Sequence, residues 1–257
     1  MGFKFDLADI KWIKGSYGLP EAVLKIKVPS VTSIINSEIP DPEFDEFVAQ
    51  VGKEKADKIM ISAGNRGSSL HTFIETFISV YSKSKDVSEA LRITQEQSPK
   101  TLKEELIPDD KIEEGRNLFY KFYYSDYAIQ FVEMLALEMP IYSSTLFYRG
   151  KLDILYNDKL FGLSITDFKS SNGRIKKGSI KELKHFLQLG GYASAIEEMY
   201  KEKNLKINKA SILCVDKQSD ILQEITLSGV NLTDYKEKFK TICKQFHIKN
   251  NTEYLIK

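Results

Sequence analysis

Asp167-Phe168-Lys169 places a lysine two residues after a carboxylate, with Asp153 upstream and Gln188-x-x-x-Tyr192 downstream. A carboxylate pair plus a lysine is what metal-dependent phosphodiester cleavage requires. The phosphodiester's charge repels an incoming hydroxide, so a catalyst must neutralise a non-bridging oxygen, activate water and stabilise the leaving oxyanion together. Carboxylates holding Mg²⁺ or Mn²⁺ meet that demand. These ions take oxygen ligands, so two or three acidic groups suffice without a histidine or cysteine cage. A nearby lysine orients the attacking water or offsets phosphate charge as an ammonium, or accepts the water's proton as a neutral amine if burial lowers its pKa.

These groups need strands and a helix to hold them. Leu163, Ile165, Asp167 and Lys169 alternate along one face of a predicted strand, which passes from apolar to ionisable. Tyr148 to Tyr156 reads as a second strand, and Asn157-Asp158-Lys159 carries the turn signal between the two. The aspartates face each other only if the hairpin loop is centred near Leu160, for example running from Asn157 to Gly162. A tight turn at Asp158 would misalign them unless a bulge supplied the extra residue. Lys184 to Lys203 is expected as a helix whose stripe of Phe186, Leu189, Ala193, Ile196 and Tyr200 is buried, with Gln188 and Tyr192 flanking it one turn apart. Upstream, Leu70, Phe73, Ile74, Phe77 and Tyr81 form another helical stripe, with His71 and Glu75 at its border. Glu75 is placed to orient the imidazole.

Each piece alone is common, since Asp-x-Lys recurs on exposed strands and a border histidine is usually just hydrogen-bonded. Their order is more informative. Gly150-x-Leu152-Asp153, Asp167-x-Lys169 and Gln188-x-x-x-Tyr192 together resemble the RecB-like branch of the PD-(D/E)xK nuclease superfamily. Gly67-Ser68-Ser69-Leu70-His71 is similar to the G-x-x-x-H motif before the core of that branch. Pro29-Ser30-Val31-Thr32 is similar to a segment near the start of the mitochondrial genome maintenance exonucleases and their phage relatives. The resemblance implies that Asp153, Asp167, the Phe168 carbonyl and His71 hold the metal. Glu138 would be a further acidic ligand, and Lys169 the catalytic lysine. Gln188 and Tyr192 would organise the site, and Ser30 and Thr32 would contact the DNA phosphate or the metal shell. It further implies an α/β fold with a mixed central sheet flanked by helices. The activity implied is that of a DNA exonuclease on single strands or flapped ends, working in replication, repair or recombination with other proteins of those processes.

Composition agrees. A chain of 257 residues can bury a substantial core as one elaborated domain. Its expected parts are N-terminal strands in 1–36 with a turn at Gly15 to Pro20, a mainly helical region in 37–130, a catalytic core in 131–230 and a C-terminal helix in 231–257. Ser98-Pro99 and Ile107-Pro108 are expected breaks in the helical region. Only Cys214 and Cys243 are present, so a four-cysteine iron-sulfur cluster is excluded. The expected setting is reduced and intracellular, in the cytoplasm, and a phage gene expressed in a bacterial host would suit the lysine- and isoleucine-rich composition. No apolar run reaches membrane-spanning length.

Net charge is only +1, which argues against strong nonspecific duplex binding. Arg174, Lys176, Lys177, Lys181 and Lys184 nevertheless cluster after the Asp-x-Lys strand, a basic track suited to a phosphate backbone. Phe119, Phe122 and Tyr123 can face a core, leaving Tyr120, Tyr124 and Tyr127 toward a different side, where they could stack on bases, although packing is the plainer use of them. An endonuclease using the same site, and a catalytically silent binding scaffold, stand as alternatives. Neither a P-loop nor a G-x-G-x-x-G segment occurs, and His71, His185 and His247 lack zinc-ligand spacing.

Overall fold

A computed structural model describes residues 28–256. The strands and Gly15 to Pro20 turn expected before Val28 lie outside the described residues. Ser30 makes a single parallel bridge to Arg149 and then caps helix α1 (Val31–Glu38), its Oγ accepting from the Ser33 amide at 3.0 Å. Residues 31–36 are therefore helical, not extended as expected. Val31, Thr32, Ile34 and Ile35 are β-branched and favour a strand, but the serine cap and the burial of Val31, Ile34 and Ile35 at helical spacing decide otherwise.

Four more helices follow: α2 (Pro42–Val51), capped by Asp41, α3 (Lys53–Ser84), α4 (Val87–Glu104) and α5 (Asp109–Tyr123). The expected break at Ser98-Pro99 does not occur, because Pro99 lies inside α4. The ring deprives the Gln95 carbonyl of its helical partner, but Gln95 is exposed, so solvent can satisfy it. Burial of Ala90, Thr94, Ser98 and Leu102 along one side keeps the helix continuous.

A 3₁₀ segment at Asp126–Glu133 leads into the sheet, made of β1 (Met134–Ser143), β2 (Tyr148–Asp158), β3 (Gly162–Ser171), β4 (Lys209–Asp216) and β5 (Gln223–Ser228). Helix α6 (Ile180–Met199) crosses from β3 to β4, and α7 (Gly229–Lys249) follows β5. Strand order is 1-2-3-4-5, with β3 and β4 parallel and the other pairs antiparallel. The parallel pair needs the α6 crossover. One face buries Ile165, Leu189, Ala193 and Phe239 against α1, α6 and α7. The other buries Phe168, Phe73, Phe77, Phe119 and Phe122 against α3, α4 and α5. This is the expected mixed α/β sheet flanked by helices.

The sheet is forked. β2 and β3 pair from Asp158↔Gly162 to Ile154↔Thr166, a hairpin centred on Leu160 as the sequence required. Beyond that pairing, β3 runs on with β4 alone from Asp167 to Ser171, while β2 stays with β1 from Leu152 to Tyr148. The next step of the register would set Asp153 against Asp167, at the point where the strands part. Both β1 and β2 change phase here. Leu137 and Ile154 face the α3 side, whereas Met139 and Leu152, two residues away on each strand, face the α6 side. Residues two apart normally share a face. Between them Glu138 takes a left-handed φ of 49°, which lets β1 make the switch.

Candidate active site

Where the ladder stops, the backbone of Phe168 would lose its partners, and side chains replace them. The Phe168 amide donates to Asp153 Oδ2 at 2.6 Å, and its carbonyl accepts from His71 Nε2 at 2.8 Å. Since a carbonyl only accepts, the proton sits on Nε2, and the neutral ring presents its Nδ1 lone pair. That nitrogen lies 3.5 Å from Asp153 Oδ1. Helix α3 can deliver His71 because α5 crosses it closely at Gly115, where a Cβ would come within 2.3 Å of Ser69 Cβ.

His71, Glu138 and Asp153 form the one group of candidate metal ligands among the described residues, with ligand atoms all within 4.8 Å of one another. Glu138 Oε1 is buried without a hydrogen-bond partner, and the carboxylate pairs with Lys151. Two carboxylates, an imidazole nitrogen and an unsatisfied oxygen suit a hard divalent ion. Asp167 lies outside this group, contrary to expectation. Its Oδ1 accepts from Gln188 Nε2 at 3.0 Å, and its Oδ2 sits 2.5 Å from Lys169 Nζ. The Phe168 carbonyl, expected as a ligand, has one lone pair engaged by His71 and one left.

The charges are strongly coupled. Burial opposes ionisation of Asp153, but His71 beside it, then Lys169 and the Phe168 amide, hold its carboxyl below the usual range. Burial likewise disfavours the charged form of His71, and Asp153 outweighs it, so the imidazole pKa is raised. Asp167 is pushed up to about 6, by burial first and by the Asp153 charge against the pull of Lys169. Burial acts to lower the Lys169 pKa, yet Asp167 and Asp153 together raise it. Without a metal, those two carboxylates therefore favour the ammonium form of Lys169. Glu75 is pushed up to about 7, by burial and then by Asp153. Both His71 nitrogens face other groups, so Glu75 does not orient the ring as expected.

Helix α6 closes the opposite wall. Ser179 caps it, and Gln188 Nε2 donates both to Asp167 and to the Tyr192 hydroxyl, the latter at 2.8 Å. Gly150 makes room for that tyrosine, since a Cβ there would stand 2.8 Å from Tyr192 Cε1. A cavity of about 260 Å³ opens beside Lys169, lined also by Thr32, Asn36, Lys181, Lys184 and His185. Thr32 thus reaches the site, whereas Ser30 is engaged in capping α1 and lines a separate cavity with Arg149 and His247. Arg174, Lys176 and Lys177 are exposed on the loop after β3 and do not line this cavity, whose further cations are Lys181 and Lys184. Lys184 also pairs with Asp41 at 3.2 Å, tying α2 to α6. His185 was set aside on ligand spacing. Its position three residues before Gln188, on the same side of a helix, was the signal that would have placed it here. Tyr120 accepts from Gln95 and stacks on exposed Tyr124, while Tyr127 donates to Glu224.

A family model described as the PD-(D/E)XK nuclease superfamily matches residues 47–254. No curated protein sequence matches significantly. Among solved structures, a "Putative exonuclease" from Eubacterium rectale is similar at 12% identity and a TM-score of 0.42, over 70% of this chain and 68% of that one. No helix among the described residues is long and apolar enough to cross a membrane.

Proposed function

The chain belongs to the PD-(D/E)XK nuclease superfamily, and from that premise we propose that it is a divalent-metal-dependent DNA exonuclease, acting on single strands or flapped ends in replication, repair or recombination. The observation that carries the hydrolytic part is the fork between β2 and β3, which gathers His71, Asp153, Asp167 and Lys169. The single-strand and exonucleolytic parts rest on the resemblance of Pro29-Ser30-Val31-Thr32 and the motifs after it.

His71 Nδ1, Glu138 and Asp153 would hold Mg²⁺ or Mn²⁺, with the free lone pair of the Phe168 carbonyl as a further donor. Such an ion, when bound, polarises the phosphate and lowers the pKa of water. Lys169 contributes as a fixed positive charge, orienting the nucleophile and offsetting charge on the phosphate. Asp167 locates that ammonium, and Gln188, braced by Tyr192, locates Asp167. The Phe168 backbone fixes Asp153 and the His71 tautomer at once.

Digestion of end-labelled single-stranded DNA, matched duplex and covalently closed circles with Mg²⁺ or Mn²⁺ tests this, with Lys169→Ala in parallel. Loss of linear single strands, sparing of circles and an inactive variant are expected. Cutting of circles would replace the reading with an endonuclease, and absence of metal-dependent cleavage would leave a binding scaffold.

A further inference from the structure

Strand β5 carries a side chain that the chemistry above leaves unused. Lys169, Cys214 and Gln223 stand in register on β3, β4 and β5. Residues paired across strands share a face, so Gln223 lies on the catalytic lysine's side of the sheet, two strand spacings or about 10 Å away. There its amide acts as a one-residue strand. Its Oε1 accepts from the Ile175 N–H at 2.8 Å, and its Nε2 donates to the Ile175 carbonyl at 2.9 Å.

Ile175 is the centre of the loop 172–178, which begins three residues after Lys169 and ends three before Lys181. Its side chain is buried. Both ends of the loop are fixed as well, by Ser171 Oγ donating to the Gly173 carbonyl at 2.6 Å and the Gly178 amide donating to Glu182 at 2.7 Å. Keeping a lysine-rich loop in water requires none of this, because solvent satisfies an exposed backbone. The side chains around Ile175 show what is being held. Arg174, Lys176 and Lys177 are exposed and, like Lys181, make no ion pair among the described residues, whereas Lys169 and Lys184 have Asp167 and Asp41. Unpaired cations on a fixed backbone suit a polyanion. The loop is ordered before the ligand arrives, and each phosphate neutralised releases counterions.

We infer that Gln223 is a positioning residue for the substrate: by holding Ile175 it fixes Arg174, Lys176 and Lys177 as an outer phosphate-binding rail continuous with Lys181 and Lys184, so that the bound strand runs from the cavity across the ends of β4 and β5. This rests on the nuclease reading for its substrate, so the deciding comparison is one of binding. Gln223→Met keeps the side chain's length and bulk without its two hydrogen bonds. Affinity for a fluorescent single strand of about twelve nucleotides is measured by anisotropy in EDTA, where no cleavage intervenes. The same substitution is made in a chain that also carries Arg174→Ala, Lys176→Ala and Lys177→Ala.

Gln223→Met alone is expected to weaken binding about three- to tenfold, the effect of releasing a preorganised loop. With the three cations already removed, it is expected to change nothing further, since the two sets of substitutions act through one contact. Equal losses in both backgrounds would mark Gln223 as a general prop of the fold and overturn the inference, as would no loss in either. With Mg²⁺, the single variant should raise KM at unchanged kcat, and a fall in kcat at unchanged KM overturns it too. Hydrogen exchange in the wild type needs no variant to fold. The Ile175 amide should be protected before DNA is added, and protection that arises only with DNA would show the loop to be ordered by substrate, not by Gln223. Failure of the nuclease reading shows separately, as absence of cleavage with metal while the binding comparison stands.

Discussion

Two lysine–carboxylate clusters lie at opposite ends of the parallel β3–β4 pair. At the hairpin end, Lys209 Nζ meets Glu224 at 2.9 Å and Asp158 at 3.4 Å, over the Phe161 ring. At the forked end, Lys169 meets Asp167 at 2.5 Å, with Asp153, His71 and Glu138 beyond. Residue types are nearly the same, yet the carboxyls respond oppositely. Burial opposes ionisation of Asp158, but the Leu160 and Phe161 amides and Lys209 hold it below the usual range. Asp167, fully buried beside a second aspartate, is pushed up to about 6. Where the strands stay paired, each charge finds partners and the cluster holds the fold together. Where they part, Glu138 Oε1 and His185 Nε2 are left unsatisfied. Polar groups left unsatisfied in a cleft are the price of being able to bind something else.

Substitution at the two lysines should separate these roles most widely. Lys169→Ala is expected to lower kcat by about 10³-fold, the scale for losing a positioned charge at a reacting phosphate. Lys209→Met should leave kcat within about twofold and cost about 2–3 kcal/mol of stability in urea, because Asp158 and Glu224 keep partial access to water. Comparable kcat losses at both sites would erase the contrast.

Metal ligation sharpens it next. EDTA should abolish cleavage, and Mg²⁺ or Mn²⁺ should restore it. In calorimetric titration, Asp153→Asn should eliminate ion binding, while His71→Ala and Glu138→Gln should weaken it about 10–100-fold. Asp158→Asn, at the closed end, should leave the titration unchanged.

The pH dependence differs in sign. In metal-free protein Asp167 binds its proton more tightly when folded, so its contribution to stability falls as pH rises from about 4 to about 6. The stability of Asp167→Asn relative to wild type should therefore climb across that window by about 1–3 kcal/mol, followed by chemical denaturation in EDTA. Asp158 is depressed, so its contribution is present above its ordinary pKa and is lost as pH falls through the folded value. Asp158→Asn should then converge on wild type in acid. The smallest effect is expected at the exposed loop. Arg174→Ala, Lys176→Ala and Lys177→Ala should each weaken DNA binding a few-fold and reduce the salt slope by about 1, without changing kcat.

Much of the closed end was legible in the sequence. The turn signal near Asp158 and the alternation from Leu163 to Lys169 announce a hairpin but leave its register open, and the pairing centred on Leu160 is the one that leads to the aspartate pair. Gln188 and Tyr192 follow from a helical stripe and one turn of spacing. The fork was not legible, because it depends on where pairing ceases and on a left-handed Glu138, and no local pattern encodes either. The protonation of Lys169 was equally hidden, being decided by two carboxylates on different strands. Val31 to Ile35 misled because β-branched propensity spoke more loudly than the Ser30 cap.

One close contact reaches beyond the site's chemistry. Gly150 and Tyr192 belong to different motifs on different elements, yet the ring occupies the place where a Cβ at 150 would stand. In terms of descent they are one character, not two. A lineage that gained a side chain at 150 would have to surrender the ring at 192, and with it the hydroxyl that receives a Gln188 N–H. Sequences derived from this one should therefore gain a side chain at 150 only where 192 has changed as well.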